Sequence, residues 1–182
     1  MQSASLSIQA RVTNNSEKIL TEIMLQEAGF TSCIVNLFRP QACLAHIYVA
    51  SKISAEEAQQ LVQQQKQLKA PLMVILKRAE ESIIAQLVSG NMPLVYAGGW
   101  PGQRFKQLLK VAQERYRAQV KQRQQLLDSQ KKIDQMGVIN QAKGKLMQQQ
   151  QVSEARAHTA LQRLAMSRGI SLAEIARQVL QS

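Results

Sequence analysis

Aspartate is absent from the first 127 residues of this 182-residue chain, and the first one is Asp128. Residues 1–127 therefore cannot form an aspartyl phosphate, because that intermediate needs an Asp carboxylate as its nucleophile. Cysteine is scarce as well, since Cys33 and Cys43 are the only two. Neither belongs to a metal-binding or redox motif, and we expect both to be buried free thiols.

Long apolar stretches are also missing. No run of eighteen apolar residues exists in the sequence, which predicts that no helix spans a membrane. The N-terminus, MQSASLSIQARV, lacks the basic start and the apolar centre of a signal peptide. These absences predict a soluble, cytoplasmic protein.

Sequence motifs that carry catalysis are missing too. The chain has no phosphate-binding loop, no metal-ligand spacing and no pairing of a nucleophile with an acid or base. The sequence therefore predicts neither an enzyme nor a bound cofactor or metal ion. His46 lies in an apolar stretch with no second His or paired carboxylate nearby, which favours a core histidine over a ligand or a base.

Positive charge is concentrated in the C-terminal half. Residues 1–100 hold eight Lys or Arg against seven Glu, a net charge of +1, whereas residues 101–182 hold fifteen against five acidic residues, a net charge of +10. A basic half of this kind favours a polyanionic partner, because phosphate contacts release counterions. Charge alone is equally compatible with a solvated basic helix surface.

Five short apolar stretches alternate with amphipathic ones in the first hundred residues. The apolar stretches are the alternating residues Leu6 to Val12, followed by CIVNLF, CLAHIYVA, PLMVIL and PLVYAG. Helical spacing of apolar residues follows Ser16, Ser54, Ala79 and Pro101. This alternation predicts an α/β fold with a doubly wound, parallel five-stranded sheet. The Gly98-Gly99-Trp100 segment predicts a tight turn with one aromatic anchor.

The order of these elements resembles the receiver domain of bacterial response regulators. Only Arg39 to Ala42 separate CIVNLF from CLAHIYVA, so the second helix of that family must be shortened or lost here. A receiver also needs an acidic pair after the first strand, an acceptor Asp after the third and a Lys after the fifth. This chain has Thr13, Asn14 and Asn15, then Ala50 and Ser51, then Trp100 at those places. We interpret residues 1–103 as a pseudo-receiver domain without phosphoacceptor or metal ligands.

Residues 104–134 are predicted to form a long linker helix, because neither proline nor glycine interrupts them. Their apolar residues show heptad spacings with one slip, which predicts a coiled coil that pairs two copies of the chain. The residues of this predicted seam are Leu109, Ala112, Tyr116, Val120 and Leu127. Gln119, Arg123 and Gln130 dilute the seam, so a single solvated helix is the alternative.

Three short amphipathic helices are predicted in residues 135–182. Ile139, Ala142 and Leu146 share one face of the first helix, and Ser153 and Ser171 are suitable N-caps for the second and third. Stripes of the same spacing follow these caps, and they are Ala157, Ala160, Leu161 and Leu164, then Leu172, Ile175, Ala176 and Val179. We expect a small all-α three-helix module, because isolated helices of this length are marginal in water.

The strings VINQAKGKLM, VSEARAHTALQRLAM and SLAEIARQVL follow one another in this module. In this order they resemble the ANTAR family, the RNA-binding module named for the AmiR and NasT transcription antitermination regulators. One departure is visible after Met147, where the family often has a charged turn ending in glycine and this chain has Gln148 to Gln151. The departure weakens the predicted stop of the first helix.

The resemblance implies a dimeric antiterminator that binds paired hairpins in a leader mRNA and prevents a terminator from forming. Proteins usually read RNA at unstacked loop bases, with amide and cationic side chains. Lys143, Arg163 and Arg168 would then contact phosphates, while Asn140, Gly144 and Met147 would offer an amide, close backbone approach and an apolar platform. Each also has a structural reading: Met147 as core, Gly144 as a close helix crossing and Arg163 as a solvated charge.

Two other functions remain open on the sequence. A basic three-helix module could enter a DNA major groove, although no helix here is dense in base-reading side chains. A protein-interaction adaptor would show only salt-sensitive, sequence-independent affinity for nucleic acid. For control, the AmiR and NasT resemblance implies a cytoplasmic, ligand-binding sensor protein that sequesters the dimer and releases it when inducer binds.

Overall fold

The structure is a computed structural model that describes residues 7–39 and 43–181. Its strands are β1 (Ser7–Val12), β2 (Thr31–Ile34), β3 (Ala45–Ala50), β4 (Leu72–Leu76) and β5 (Leu94–Ala97). Its helices are α1 (Asn15–Glu27), α2 (Ala55–Gln67), α3 (Glu81–Ser89), α4 (Phe105–Gln150), α5 (Glu154–Arg168) and α6 (Leu172–Gln181). A single 3₁₀ turn, Gly102–Arg104, precedes α4. The chain divides into two compact units, Met1–Val120 and Lys121–Ser182.

The first unit contains a five-stranded sheet in the order β2-β1-β3-β4-β5, and every neighbouring pair is parallel. The predicted receiver-like, doubly wound sheet is therefore confirmed. All five residues of β4 are buried, as expected for a central strand with both faces covered. The strand order reverses between β1 and β3, so this is the switch point at the carboxyl edge of the sheet.

The helix between β2 and β3 was predicted to be shortened or lost. Residues 35–39 and 43–44, the described part of this connection, are not helical. Leu6, which was placed in the first strand, lies outside the described residues. Gly98 and Gly99 form the predicted tight turn, because both have positive φ and both backbone N–H groups donate to the carbonyl of Leu76.

Side-chain caps set the starts of the first two helices. The Asn14 side chain accepts a hydrogen bond from the Glu17 N–H, so α1 begins one residue before Ser16. Ser54 and Glu57 form a capping box at the start of α2, each bonding the backbone N–H of the other.

The two cysteines differ in burial, since Cys33 lies in β2 and Cys43 lies just before β3. Cys33 is exposed, because β2 is an edge strand, and its predicted burial was wrong. Cys43 is half-buried, with its Sγ 3.5 Å from His46 Nε2. His46 is fully buried, and this burial lowers its pKa to about 4, so the side chain is the neutral core histidine that the sequence predicted.

The start of α4 belongs to the core of the sheet unit. Phe105, Leu109 and Ala112 are buried in the cluster that contains Ile8 and Ile47. The phenol of Tyr116 donates a hydrogen bond to the Leu68 carbonyl at 2.9 Å. Three of the five residues predicted to pair two chains are therefore engaged within one chain, because α4 begins as a covering helix of the sheet. Val120 and Leu127 remain exposed.

The second unit is a small helical bundle. Ala142 and Leu146 of α4 pack with Ala157 and Leu161 of α5 and with Ile175 and Ala176 of α6. The predicted first helix of this module is the last part of α4, which continues from the linker helix through Gly137 without a break. Ser153 caps α5, and Gly169, with φ of 64°, ends it as the sequence predicted.

The turn between α4 and α5 contains a conformational exception. Helix α4 ends at Gln150, and Gln151 has φ of 50°, in the left-handed region that favours glycine. Gln151 thus adopts a backbone conformation that glycine would adopt more easily.

Candidate nucleic-acid interface

The outward face of α4 carries two of the predicted RNA-binding side chains. Asn140 and Met147 are exposed, and the residues that α4 buries, Ala142 and Leu146, lie on the opposite side. Residues seven apart share one side of a helix, so Asn140 and Met147 both face away from the core. They present an amide and a thioether to a partner, and Met147 is not a core residue.

Gly144 lies beside this face and is half-buried. A Cβ placed on Gly144 would meet no described atom within 4 Å outside its own helix backbone and chain neighbours. Packing inside the described chain therefore does not require glycine at this position. The bare backbone is left available for close approach by a partner.

Lys143 connects α4 to the start of α5. Its ammonium is 2.7 Å from the Glu154 carboxylate, and the Lys143 side chain is only 15% exposed. The hydrogen bond from Lys143, together with its charge, lowers the pKa of Glu154. A carboxyl group with a lowered pKa stabilises the fold near neutral pH, and this contribution is lost as pH falls through that pKa. Lys143 thus has an ion-pair partner within the chain.

Lys145, two residues along the same helix, has a different partner. Its ammonium donates to the backbone carbonyls of Val179 at 3.0 Å and Leu180 at 3.5 Å. These carbonyls belong to the last turn of α6, where a helix has unpaired acceptors and a partial negative charge. Lys145 therefore closes the bundle by holding the end of α6 against α4.

Arg163 lies on the solvent face of α5, opposite the buried Ala157 and Leu161. Arg156 and Thr159 line the same shallow groove as Arg163, and all three are exposed. Met166, three residues further on, is 83% exposed. This face combines two cations, a hydroxyl and a bare thioether, which is the mixture that a nucleic-acid surface can use for phosphate contacts and stacking.

Arg168 is at the end of α5, next to α6. Its guanidinium donates a 2.8 Å hydrogen bond to the Gln178 side-chain oxygen. Arg168 and Gln178 line a groove between the two helices together with Leu164 and Val179. The remaining guanidinium donors can still contact a phosphate, because one hydrogen bond uses only one of five.

The predicted set thus occupies more than one surface. Asn140, Gly144 and Met147 lie on α4, Arg163 on the outer face of α5, and Arg168 beside α6. The Lys143–Glu154 ion pair joins α4 to α5, but no hydrogen bond or ion pair within residues 7–39 and 43–181 joins Asn140 to Arg163.

A family model described as the ANTAR domain matches residues 123–180. This part of the chain is an ANTAR domain. The match begins within α4, covers α5 entirely and ends one residue before the last residue of α6. It coincides with the helices that share the Ala142, Leu161 and Ile175 core, so the ANTAR domain includes the final turns of the long helix.

The fold of the sheet unit has a counterpart among solved structures. The crystal structure of a protein described as pilus assembly-related, from Burkholderia pseudomallei, matches with a TM-score of 0.50 and 11% identity. The match covers 60% of this chain and 90% of that one. Identity this low supports the likeness of fold alone. Among curated proteins, no sequence matches this chain.

Several residues of the ANTAR domain that the sequence analysis left out stand on these surfaces. Arg156, Thr159 and Met166 repeat at helical spacing around Arg163, and that spacing is a signal visible in the sequence. The role of Lys145 had no such signal, because its partners are backbone carbonyls more than thirty residues away.

No helix of the described residues is long and apolar enough to cross a membrane. Within the same residues, no three His, Cys, Asp or Glu side chains gather closely enough to hold a metal ion.

Proposed function

We propose that this chain is an RNA-binding transcription antiterminator. The main support for this proposal is the match of residues 123–180 to the ANTAR domain. It would bind small hairpins in a leader transcript and prevent a terminator from forming. The sheet unit would act as a non-catalytic regulatory domain.

Charge and surface composition support RNA as the ligand. The net charge of +10 in residues 101–182 provides attraction to phosphates. The exposed face of α5 adds Arg163, Arg156 and the thioether of Met166, and α4 adds the amide of Asn140. Amide and guanidinium groups beside an apolar platform suit unstacked loop bases better than the edges of a closed duplex.

We further propose that the chain acts as a homodimer, paired along a stripe of α4. Leu126, Ile133 and Met136 are all more than 60% exposed. Leu126 and Ile133 are seven residues apart and Met136 follows Ile133 by three, so these three residues lie on one side of the helix. We call them the Leu126 stripe.

This stripe replaces the seam predicted from the sequence. Val120 and Leu127 are seven residues apart and exposed, but their repeat continues to Asp134 and stops there. The Leu126 stripe has no charged residue between Leu126 and Asn140 at its repeat positions, which are Ser129, Ile133 and Met136. We therefore place the dimer contact on the Leu126 side of α4.

Control by a partner protein is the third part of the proposal. The sheet unit has no Asp, so the acceptor chemistry of a receiver cannot switch it. A ligand-binding sensor protein would hold the antiterminator inactive and release it when its own ligand binds. Affinity capture from cells grown with and without candidate inducers tests this part, and recovery of no stoichiometric partner in either condition would contradict it.

The proposed activity is tested by transcription through a leader that carries tandem hairpins ahead of a terminator. We expect the purified protein to increase full-length transcript on this template. A matched template with the loop bases replaced should give no increase. Equal read-through on both templates, or none on either, would contradict the proposal.

Lys143 provides a prediction that separates RNA contact from structural support. If its ammonium binds phosphate, Lys143→Ala should weaken binding of the hairpin RNA and reduce the salt slope by about one. Glu154→Gln should strengthen binding, because it frees Lys143 from its 2.7 Å ion pair. Filter binding across a range of salt concentrations measures both effects.

The matched control for this experiment is Lys110→Ala, which removes an exposed cation from the same helix outside the ANTAR domain. It should leave the RNA affinity close to that of the unmodified protein. An unchanged salt slope for Lys143→Ala, combined with a lower melting temperature, would show that Lys143 supports the α4–α5 contact and does not bind RNA.

A further inference from the structure

A pocket of about 350 Å³ opens at the carboxyl edge of the sheet in the Met1–Val120 unit. It lies at the switch point between β1 and β3, where open α/β sheets commonly bind ligands. Its volume falls within the range of small-molecule sites. The chemistry of a receiver is absent from this edge, so the pocket has no role in the function proposed above.

A negative charge lines the pocket. The Glu17 carboxylate lines it, and the hydroxyls of Thr13 and Ser51 donate to its two oxygens at 2.6 and 2.8 Å. Partial burial by itself would raise the pKa of Glu17, but these hydrogen bonds outweigh it and leave the pKa below its ordinary value. The carboxylate is therefore ionised at neutral pH. Each oxygen keeps a lone pair for a further donor.

A positive charge lines the same pocket. Lys77 follows β4, and its side chain is exposed. The ion pairs of the described residues are Arg117–Glu114 and Lys143–Glu154, so Glu17 and Lys77 do not neutralise each other within 4 Å. The pocket thus contains two opposite charges, each with capacity for a ligand group.

Apolar residues also line the pocket, among them Leu20, Ile75 and Trp100. The indole of Trp100 stacks on Phe105 with ring centroids 5.0 Å apart, and this contact holds it in place. The exposed Leu20 provides a surface that an apolar group could cover.

We propose that this pocket binds a small zwitterion of the amino-acid class, with its ammonium at Glu17, its carboxylate at Lys77 and its apolar side chain against Trp100 and Leu20. A simple anion such as phosphate would meet the Glu17 carboxylate, and a simple cation would meet Lys77. Only a molecule that carries both charges satisfies both charged groups of the pocket. Binding here requires neither RNA nor a second copy of the chain.

Fluorescence of the full-length protein tests the proposal directly, because Trp100 is the only tryptophan of the chain. The probes are the common L-amino acids, with glycine, β-alanine and 4-aminobutyrate as a series of increasing charge separation. Isoamylamine and 4-methylpentanoate, which resemble leucine without its carboxylate or its ammonium, serve as single-charge controls. Calorimetric titration of the same probes reports binding that leaves the emission unchanged.

We expect saturable binding of at least one amino acid, and weaker binding of its single-charge counterparts by roughly tenfold or more. Glu17→Gln and Lys77→Gln should each cause a loss of the same order. The matched controls are Glu27→Gln, at the other end of α1, and Arg78→Gln, beside Lys77, and both should leave the affinity unchanged.

Three results would overturn the proposal. The first is no emission change and no heat with any amino acid at millimolar concentration. The second is binding of the single-charge compounds with the same affinity as the amino acid, which would show that the pocket does not select for a zwitterion. The third is full affinity in both Glu17→Gln and Lys77→Gln. The comparison of probes uses the unmodified protein, so it decides the matter even if a variant fails to fold.

Discussion

Leu161→Ala is expected to lower the free energy of unfolding of the helical unit by roughly 2–5 kcal/mol. Leu161 is fully buried in the centre of the ANTAR domain, among residues of α4, α5 and α6. Its neighbours include Ala142, Ala157 and Ala176, whose short side chains cannot move into the space that a truncated Leu161 would leave. The substitution should therefore leave a cavity and lose packing at once.

Urea denaturation followed by circular dichroism at a helix-sensitive wavelength measures this loss. Trp100 fluorescence reports the sheet unit in the same samples, and its transition should not move, because Leu161 lies in the other unit. The matched control is Leu164→Ala, which truncates a residue 36% exposed on the same helix and should cost much less. Equal midpoints for the two variants would contradict the assignment of the core.

Ile133→Asp is expected to separate the proposed dimer and to weaken binding of a two-hairpin RNA by about 10²–10⁴-fold. Ile133 is 62% exposed in the middle of the Leu126 stripe, so a charge there would be buried opposite an identical charge in the pair. The loss of RNA affinity follows from bivalency, since a single chain would bind one hairpin at a time. Sedimentation velocity measures the first effect and RNA titration the second.

Leu127→Asp is the matched control for the dimer prediction. It introduces the same residue on the same helix at a site 50% exposed, but on the side of α4 that carries Val120. This variant should remain dimeric. A dimer that survives Ile133→Asp and is lost with Leu127→Asp would place the contact on the seam predicted from the sequence. If the unmodified protein sediments as a monomer both with and without RNA, the proposed dimer is contradicted.

Much of the sheet unit was predictable because its elements depend on local patterns. The buried strand β4 appears as an unbroken apolar stretch, and the capping pair Ser54 and Glu57 marks the start of α2. The alternation of strands and helices then leaves few topologies, since parallel crossovers are right-handed. The burial of Cys33 was predicted wrongly, because the position of β2 at the edge of the sheet depends on pairing and not on local sequence.

The role of α4 was harder to predict. Leu109, Tyr116 and Val120 follow one another at heptad spacings of seven and four, so periodicity alone could not tell a helix that covers a sheet from one that pairs with a second chain. The Leu126 stripe was also visible in the sequence, but only the burial of the first turns of α4 shows which apolar residues remain free.

The candidate interface was predictable in part. The ordered strings of the ANTAR domain identified Asn140 and Met147, which the structure places on an exposed face. The contacts of Lys143 and Lys145 could not be predicted from the sequence. Their partners, on α5 and α6, come close only because these helices pack against α4. The sequence alone does not distinguish a lysine that binds the carbonyls at a helix end from a lysine that binds a phosphate.

We propose that the ligand of this chain is structured RNA. The most direct test of this proposal is a mobility shift that compares a leader RNA carrying two hairpins with duplex DNA of the same sequence, at equal and physiological salt. We expect a discrete complex with the RNA that excess duplex DNA does not displace, and loss of that complex when the hairpin loop bases are replaced. Equal affinity for RNA and duplex DNA, or a complex that ignores the loop bases and vanishes with moderate salt, would contradict it.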